Sequence, residues 1–195
     1  MSEVGALYQR LSGQYDKERD RSLMEREHLR ALCMRLQPGA SVLDLGCGAA
    51  EPIARYCIEA GFALQGMDIA PSMISRCRER FPDHVWLEGD MRAMELDEQF
   101  DAVIAWDSMF HLTAADQREL IPRIARHTSR GGLFMFTSGT ALGTSIGSLC
   151  GHDLHHASLD TGEYESRLAD QGFEVLAHTV EDPACGRHTV WLAQM

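Results

Sequence analysis

Residues Ser41 to Gly48, SVLDLGCG, constrain the fold of this chain more than any other stretch. The short apolar run through Leu45 has the length and composition of a strand buried on both faces. Gly46 and Gly48 then allow the backbone to turn sharply and a ligand to approach the main chain. Pro52 suits the first turn of a helix, and Gly61 suits its end. Strand, glycine turn and helix in that order put Asp44 at the carboxyl edge of a sheet, where open α/β folds bind their ligands.

The same alternation continues. Phe62–Asp68 reads as a second strand, and Pro71 opens a helix through Arg80. His84–Leu87 and Phe100–Trp106 read as further strands, followed by a helix over Ala114–His127 and a strand over Leu133–Phe136. A helix from Thr161 to Gln171 precedes two last strands, Phe173–Val180 and His188–Leu192, joined by the turn-rich EDPACGR. Upstream, Leu23, Leu29, Leu32 and Leu36 recur at helical spacing, which predicts one amphipathic helix over residues 17–36 that stops at Pro38-Gly39. The expected fold class is therefore α/β: a doubly wound, mostly parallel seven-stranded sheet with an antiparallel C-terminal strand and helices on both faces. The expected organisation is one domain over residues 1–195, with an N-terminal helical segment over 1–37. Residues 138–159 show no periodicity and read as a long loop that caps the active site.

Composition narrows the function. The formal charge of −11 repels phosphate backbones, so nucleic acid is not an expected partner. No apolar run approaches the roughly 18 residues of a membrane span, and the N-terminus has no apolar signal core, so a cytoplasmic protein is expected. The six cysteines form no C-x-x-C pair and read as free thiols. Cys150, His152, His155 and His156 cluster, but at no familiar metal-ligand spacing, and no metal is expected.

Asp68 ends the second strand, 22 residues after Gly46 (68 − 46). An acid at that place accepts hydrogen bonds from ribose hydroxyls, and this holds for any adenosine cofactor. An NAD-dependent oxidoreductase shares the strand, turn and acid. Its fingerprint, however, wants a third glycine at position 51, where this chain has Glu51. A carboxylate there opposes a pyrophosphate at a helix N-terminus but tolerates a cofactor carrying a sulfonium and an amino group.

With these residues in place, the sequence resembles the class I methyltransferases that use S-adenosylmethionine, over roughly residues 40–137 and again at the closing hairpin. The resemblance implies that Asp44, Gly46, Cys47 and Gly48 hold the methionine part. It implies that Asp68 binds the ribose, with Ile69 beside the adenosine. Glu88-Gly89-Asp90-Met91 resembles the adenine-binding segment, with Asp90 accepting from the adenine amino group; Met91 is as readily core as cofactor wall. Met73 completes this expected set. Ala105–His111 resembles the segment facing the sulfonium and substrate, which brings Trp106 to the cofactor. Tyr15 resembles a tyrosine that covers the cofactor in related enzymes. Ala50 departs from the pattern, because many members carry a third glycine there.

Methyl transfer from a sulfonium is an in-line displacement, so the protein mainly aligns the nucleophile and excludes water. A general base is needed only for an acceptor of high pKa. His111, just beyond the fourth strand, and His155 and His156, in the irregular segment, are the candidates for it. The expected partner is a small-molecule acceptor, and the expected assembly a monomer or homodimer. A non-catalytic S-adenosylmethionine-binding module stays open beside the enzyme.

Overall fold

The computed structural model describes residues 2–195. Seven strands form one sheet: β1 (Ser41–Leu45), β2 (Ala63–Asp68), β3 (Val85–Glu88), β4 (Phe100–Ala105), β5 (Thr128–Ser138), β8 (Glu174–Asp182) and β9 (His188–Gln194). Their order is β3-β2-β1-β4-β5-β9-β8. The first five run parallel. Strand β9 is antiparallel to both of its neighbours, as expected from the sequence. Asp44 is level with Gly66 of β2 and Ile104 of β4, so the carboxyl ends of these strands form one rim.

Helices cover both faces. On one side α2 (Arg26–Cys33), α3 (Ile53–Glu59) and α4 (Pro71–Arg80) bury Leu29, Leu32, Cys57 and Ile74 against Val42, Ala102 and Ile104. On the other, α5 (Ala114–His127) and α6 (Thr161–Asp170) bury Leu120, Ile121, Ile124 and Leu168 against Leu43, Val103 and Phe134. Alternate residues of β1 and β4 thus point into different halves of the core, which is why both strands are almost wholly apolar. No helix among the described residues is long and apolar enough to cross a membrane.

Two expectations need correction. The N-terminal segment is two helices, α1 (Glu3–Glu18) and α2, with residues 19–25 turning between them. The Ser2 hydroxyl caps α1 by accepting from the Gly5 amide at 3.1 Å. The Asp20 carboxylate accepts from the Ser22 amide at 2.7 Å and its hydroxyl at 2.9 Å, a local pairing that competes with helix. Leu23 sits at φ 58°, so the leucine spacing joined two segments that the backbone separates.

The stretch 138–159 is not an irregular loop. It completes β5 and then forms a hairpin of β6 (Gly143–Leu149) and β7 (His152–Ser158), a separate two-stranded sheet. Its tight turn is Cys150-Gly151, with φ of 51° and 80°. Two positive φ values mark the hairpin turn that normally announces itself as Asn-Gly, and a cysteine in the first place hides that signal. The hairpin is anchored from below: the Gln117 amide of α5 donates to the Ala157 carbonyl at 2.8 Å.

Candidate active site

The carboxyl rim of β1, β2 and β4 opens into a cleft enclosing about 210 Å³, lined by the glycine turn, the loops after β2, β3 and β4, and the inner face of α1. Asp44, Gly46, Cys47, Gly48, Asp68, Ile69, Asp90, Met91, Trp106 and His111 all line it, as does Tyr15.

The glycine turn is tightly determined. Gly46 has φ 75°, and a Cβ built there would lie 2.4 Å from the Ser108 Cβ. No other residue fits without moving the loop after β4, because Ser108 is itself held by a 2.6 Å hydrogen bond to the Leu45 carbonyl. Ala50, which departs from the resembled glycine pattern, has φ 65°. The left-handed conformation is therefore kept at this position and the alanine bears its cost.

Asp68 is built into the turn. One carboxylate oxygen accepts from the Gly48 amide at 3.0 Å and the other from the Ala70 amide at 2.8 Å. The carboxylate also lines the cleft. Burial pushes its pKa up to about 6, against the pull of these amides. Asp44 is different: among the described residues no donor hydrogen-bonds to its carboxylate. Burial, and then the charge of Asp68, push its pKa up to about 7. A buried acid without a donor is the natural seat for an ammonium group brought by a ligand.

Asp90 also faces the cleft, but Arg92 folds back on it with contacts of 3.0, 3.1 and 2.6 Å and holds its carboxyl below the usual range. Glu51 lines the cleft and is paired with Arg55 of α3. The Trp106 indole nitrogen is buried and has no hydrogen-bond partner among the described residues.

At the far end, the Tyr8 hydroxyl lies 3.1 Å from His111 Nε2. Burial raises the Tyr8 phenol and lowers His111 to about 4, so the phenol donates to a neutral imidazole. The His156 ring of β7 lies beside His111, centroids 5.1 Å apart, and His111 Nδ1 and His156 Nε2 are each buried without a hydrogen-bond partner among the described residues.

A family model described as a methyltransferase domain matches residues 42–132. The malonyl-[acyl-carrier protein] O-methyltransferase of Salmonella typhimurium is 29% identical over 136 residues, covering 69% of this chain and 53% of that protein. The dTDP-3-amino-3,6-dideoxy-α-D-glucopyranose N,N-dimethyltransferase of Streptomyces fradiae is 32% identical over 136 residues, covering 67% and 51%. The chain thus spans about half the length of these relatives. Among solved structures, an S-adenosylmethionine-bound amino pentose methyltransferase from Micromonospora echinaspora superposes with a TM-score of 0.71 at 18% identity, covering 100% of this chain and 97% of that one.

Just under half of the chain is therefore similar to a methyltransferase domain, and its fold is shared with the amino pentose methyltransferase.

Three residues expected at the site stand outside the cleft. Met73 is fully buried with Ala49 and Ala70, packed under Tyr8 and Tyr15, so it supports the helix that roofs the cleft. His155 is exposed, because residues of β7 alternate faces and its neighbour His156 takes the inner one. His156 itself touches His111 rather than the cleft.

The structure adds residues that the sequence reading missed. Arg19, at the end of α1, lines the cleft and pairs with buried Glu25 at 2.8 Å. Tyr8 contributes its phenol from the same helix. Asp107 lines the cleft at φ 48° and is gripped from β9: His188 Nε2 lies 2.9 Å from its carboxylate, while His188 Nδ1 lies 2.7 Å from the Cys185 carbonyl. Both acceptors require a proton from the ring, so His188 is an imidazolium, and the Asp107 hydrogen bond raises its pKa. The sequence carried no signal for this pair, which is 81 positions apart (188 − 107).

Proposed function

We propose that this protein transfers a methyl group from S-adenosylmethionine to a small-molecule acceptor. The observation that carries this reading is the convergence of Asp44, Gly46, Gly48 and Asp68 on one cleft, with a donor-free buried carboxylate beside Gly46, where an added Cβ would overlap Ser108. These residues fit the cofactor. Asp44 receives the ammonium, Arg19 the carboxylate and Asp68 the ribose hydroxyls, while Ile69 and Met91 supply apolar walls. Bound there, the cofactor supplies a methyl group already activated on a positive sulfur.

The protein's part is orientation and exclusion of water. Helix α1 covers the cleft with Tyr8, Tyr15 and Arg19. At the acceptor end, Trp106 offers an unpaired N–H, and Asp107 offers a carboxylate fixed by His188. His111 is held neutral at a pKa of about 4 and takes up a proton weakly, so it hydrogen-bonds an acceptor rather than acting as a strong base. The relatives act on a carrier-bound malonyl group and on an amino sugar, which supports a metabolite as acceptor without choosing among acceptor atoms.

Calorimetry with S-adenosylhomocysteine tests the cofactor site, and a panel of amines, hydroxyl compounds and thioester-linked acids, assayed for its formation, tests transfer. Absence of S-adenosylhomocysteine binding at millimolar concentration refutes the reading. Binding without turnover on any class of acceptor supports a non-catalytic module instead.

A further inference from the structure

Arg19 and Glu25 stand at the two ends of the turn that joins α1 to α2. Arg19 Nη2 donates to Glu25 Oε1 at 2.8 Å, and this is the one hydrogen bond that the guanidinium makes among the described residues. Its other N–H donors are unclaimed, and Arg19 lines the cleft. The side chains are 13% and 1% exposed, so the pair is shielded from water and is stronger than a surface ion pair.

Glu25 is placed differently. It does not line the cleft. Its second oxygen, Oε2, is buried with no hydrogen-bond partner, so Arg19 is the one group among the described residues that bonds this carboxylate. Glu25 also holds the N-cap position of α2, yet its side chain makes no capping bond. The carboxylate is therefore oriented by Arg19 and not by the helix it begins.

The charges of the cleft explain why a guanidinium there needs a tether. Asp44 and Asp107 line the same cleft as Arg19. Burial and the charge of Asp68 raise the Asp44 pKa while Arg19 lowers it, so the guanidinium already acts on that acid. A long cationic side chain without an anchor would pair with one of these acids. Pairing with Asp44 would fill the ammonium seat and withdraw the N–H groups from any ligand carboxylate.

We propose that Glu25 is a positioning residue: from behind the cleft it holds Arg19 away from Asp44 and Asp107 and leaves the remaining N–H groups of Arg19 to the carboxylate of the bound cofactor. This rests on the reading given above, in which Arg19 receives that carboxylate. Glu25 touches no ligand and acts through Arg19 alone.

The test is calorimetric titration of the full-length chain with two ligands. S-adenosylhomocysteine carries the amino acid; 5′-methylthioadenosine shares the adenosine and the thioether but lacks it. Glu25→Gln should weaken S-adenosylhomocysteine at least about tenfold and leave 5′-methylthioadenosine within about twofold, whereas a merely structural role would move both ligands together. Arg19→Gln should lose a similar factor, and adding Glu25→Gln to it should change affinity by less than about twofold, because residues that act as one unit are not additive. Glu25→Asp keeps the buried charge but withdraws it by one methylene. It should weaken S-adenosylhomocysteine about threefold or more with 5′-methylthioadenosine unchanged, and it carries the same comparison if Glu25→Gln does not fold. The proposal is overturned if S-adenosylhomocysteine binds Glu25→Gln within twofold of the parent, if both ligands weaken equally, or if the losses from Arg19→Gln and Glu25→Gln multiply. A parent chain that binds neither ligand refutes the cofactor reading itself, and the proposal with it.

Discussion

Gly46→Ala is the sharpest probe of the glycine turn. The new Cβ would stand 2.4 Å from the Ser108 Cβ, in a backbone at φ 75°. The left-handed conformation costs about 1–2 kcal/mol for a residue with a side chain. Relieving the overlap by shifting the loop after β4 costs a further ~1–3 kcal/mol. In a chain of this length each kcal/mol moves the unfolding midpoint by roughly 2–4 °C, so a drop of about 5–15 °C is expected in differential scanning calorimetry. The overlap falls on the ligand face, so titration with S-adenosylhomocysteine should show affinity lower by about 10- to 100-fold. Gly61→Ala separates the two causes. Its φ is 86°, but a Cβ added there meets nothing within 4 Å, so it should lose stability alone and bind normally. Gly46→Ala with an unchanged midpoint and an affinity within twofold of the parent would refute the reasoning.

Other expectations follow from the buried charges. Asp44 and Asp68 have folded pKa values raised to about 7 and 6, so they favour the fold below their unfolded value near 4 and lose that contribution as pH rises through 6–7. An ammonium-bearing ligand reverses this preference at Asp44; S-adenosylhomocysteine affinity should rise at least about tenfold from pH 5 to pH 7, and Asp44→Asn should flatten the rise in calorimetric titrations. His188 is raised by Asp107, so its ion pair stabilises the fold below the ordinary histidine value and fades as pH rises through the higher folded value. Urea unfolding should therefore show His188→Gln losing about 1–2 kcal/mol at pH 6 and much less at pH 9. Gln117→Leu removes the amide that bonds the Leu112 and Ala157 carbonyls, at 3.0 and 2.8 Å. It should cost about 2–4 kcal/mol and expose the β6–β7 hairpin to limited proteolysis, since it strands buried acceptors.

The parts of the fold that the sequence revealed are those where one rule dominates. Strands β1 and β4 are buried on both faces and so are nearly unbroken apolar runs, and Gly46, Gly48 and Pro52 punctuate the first turn. Asp44 and Asp68 followed from strand ends alone. What escaped depended on contacts far apart in the chain. Arg19 lies in a turn whose shape is set by Asp20 and Ser22, and it reaches the cleft only because α1 lies over α4. Tyr8 stands where nothing but an amphipathic helix can be read. The β6–β7 hairpin carries Gly, Ser, Thr and His on both faces, so its register rests on backbone pairing, to which periodicity is blind.

The position of β9 governs how this sheet can assemble. It lies between β5 and β8, yet its residues come 50 positions after the end of β5 (188 − 138). Until that strand arrives, the edge of β5 carrying Phe134 and Phe136 has no partner, and β8 has nothing to join. An apolar open edge of this kind recruits other strands. A newly made chain therefore stays vulnerable to aggregation until residue 194 has left the ribosome, and substitutions that weaken β9 should lower soluble yield well before they affect the finished protein.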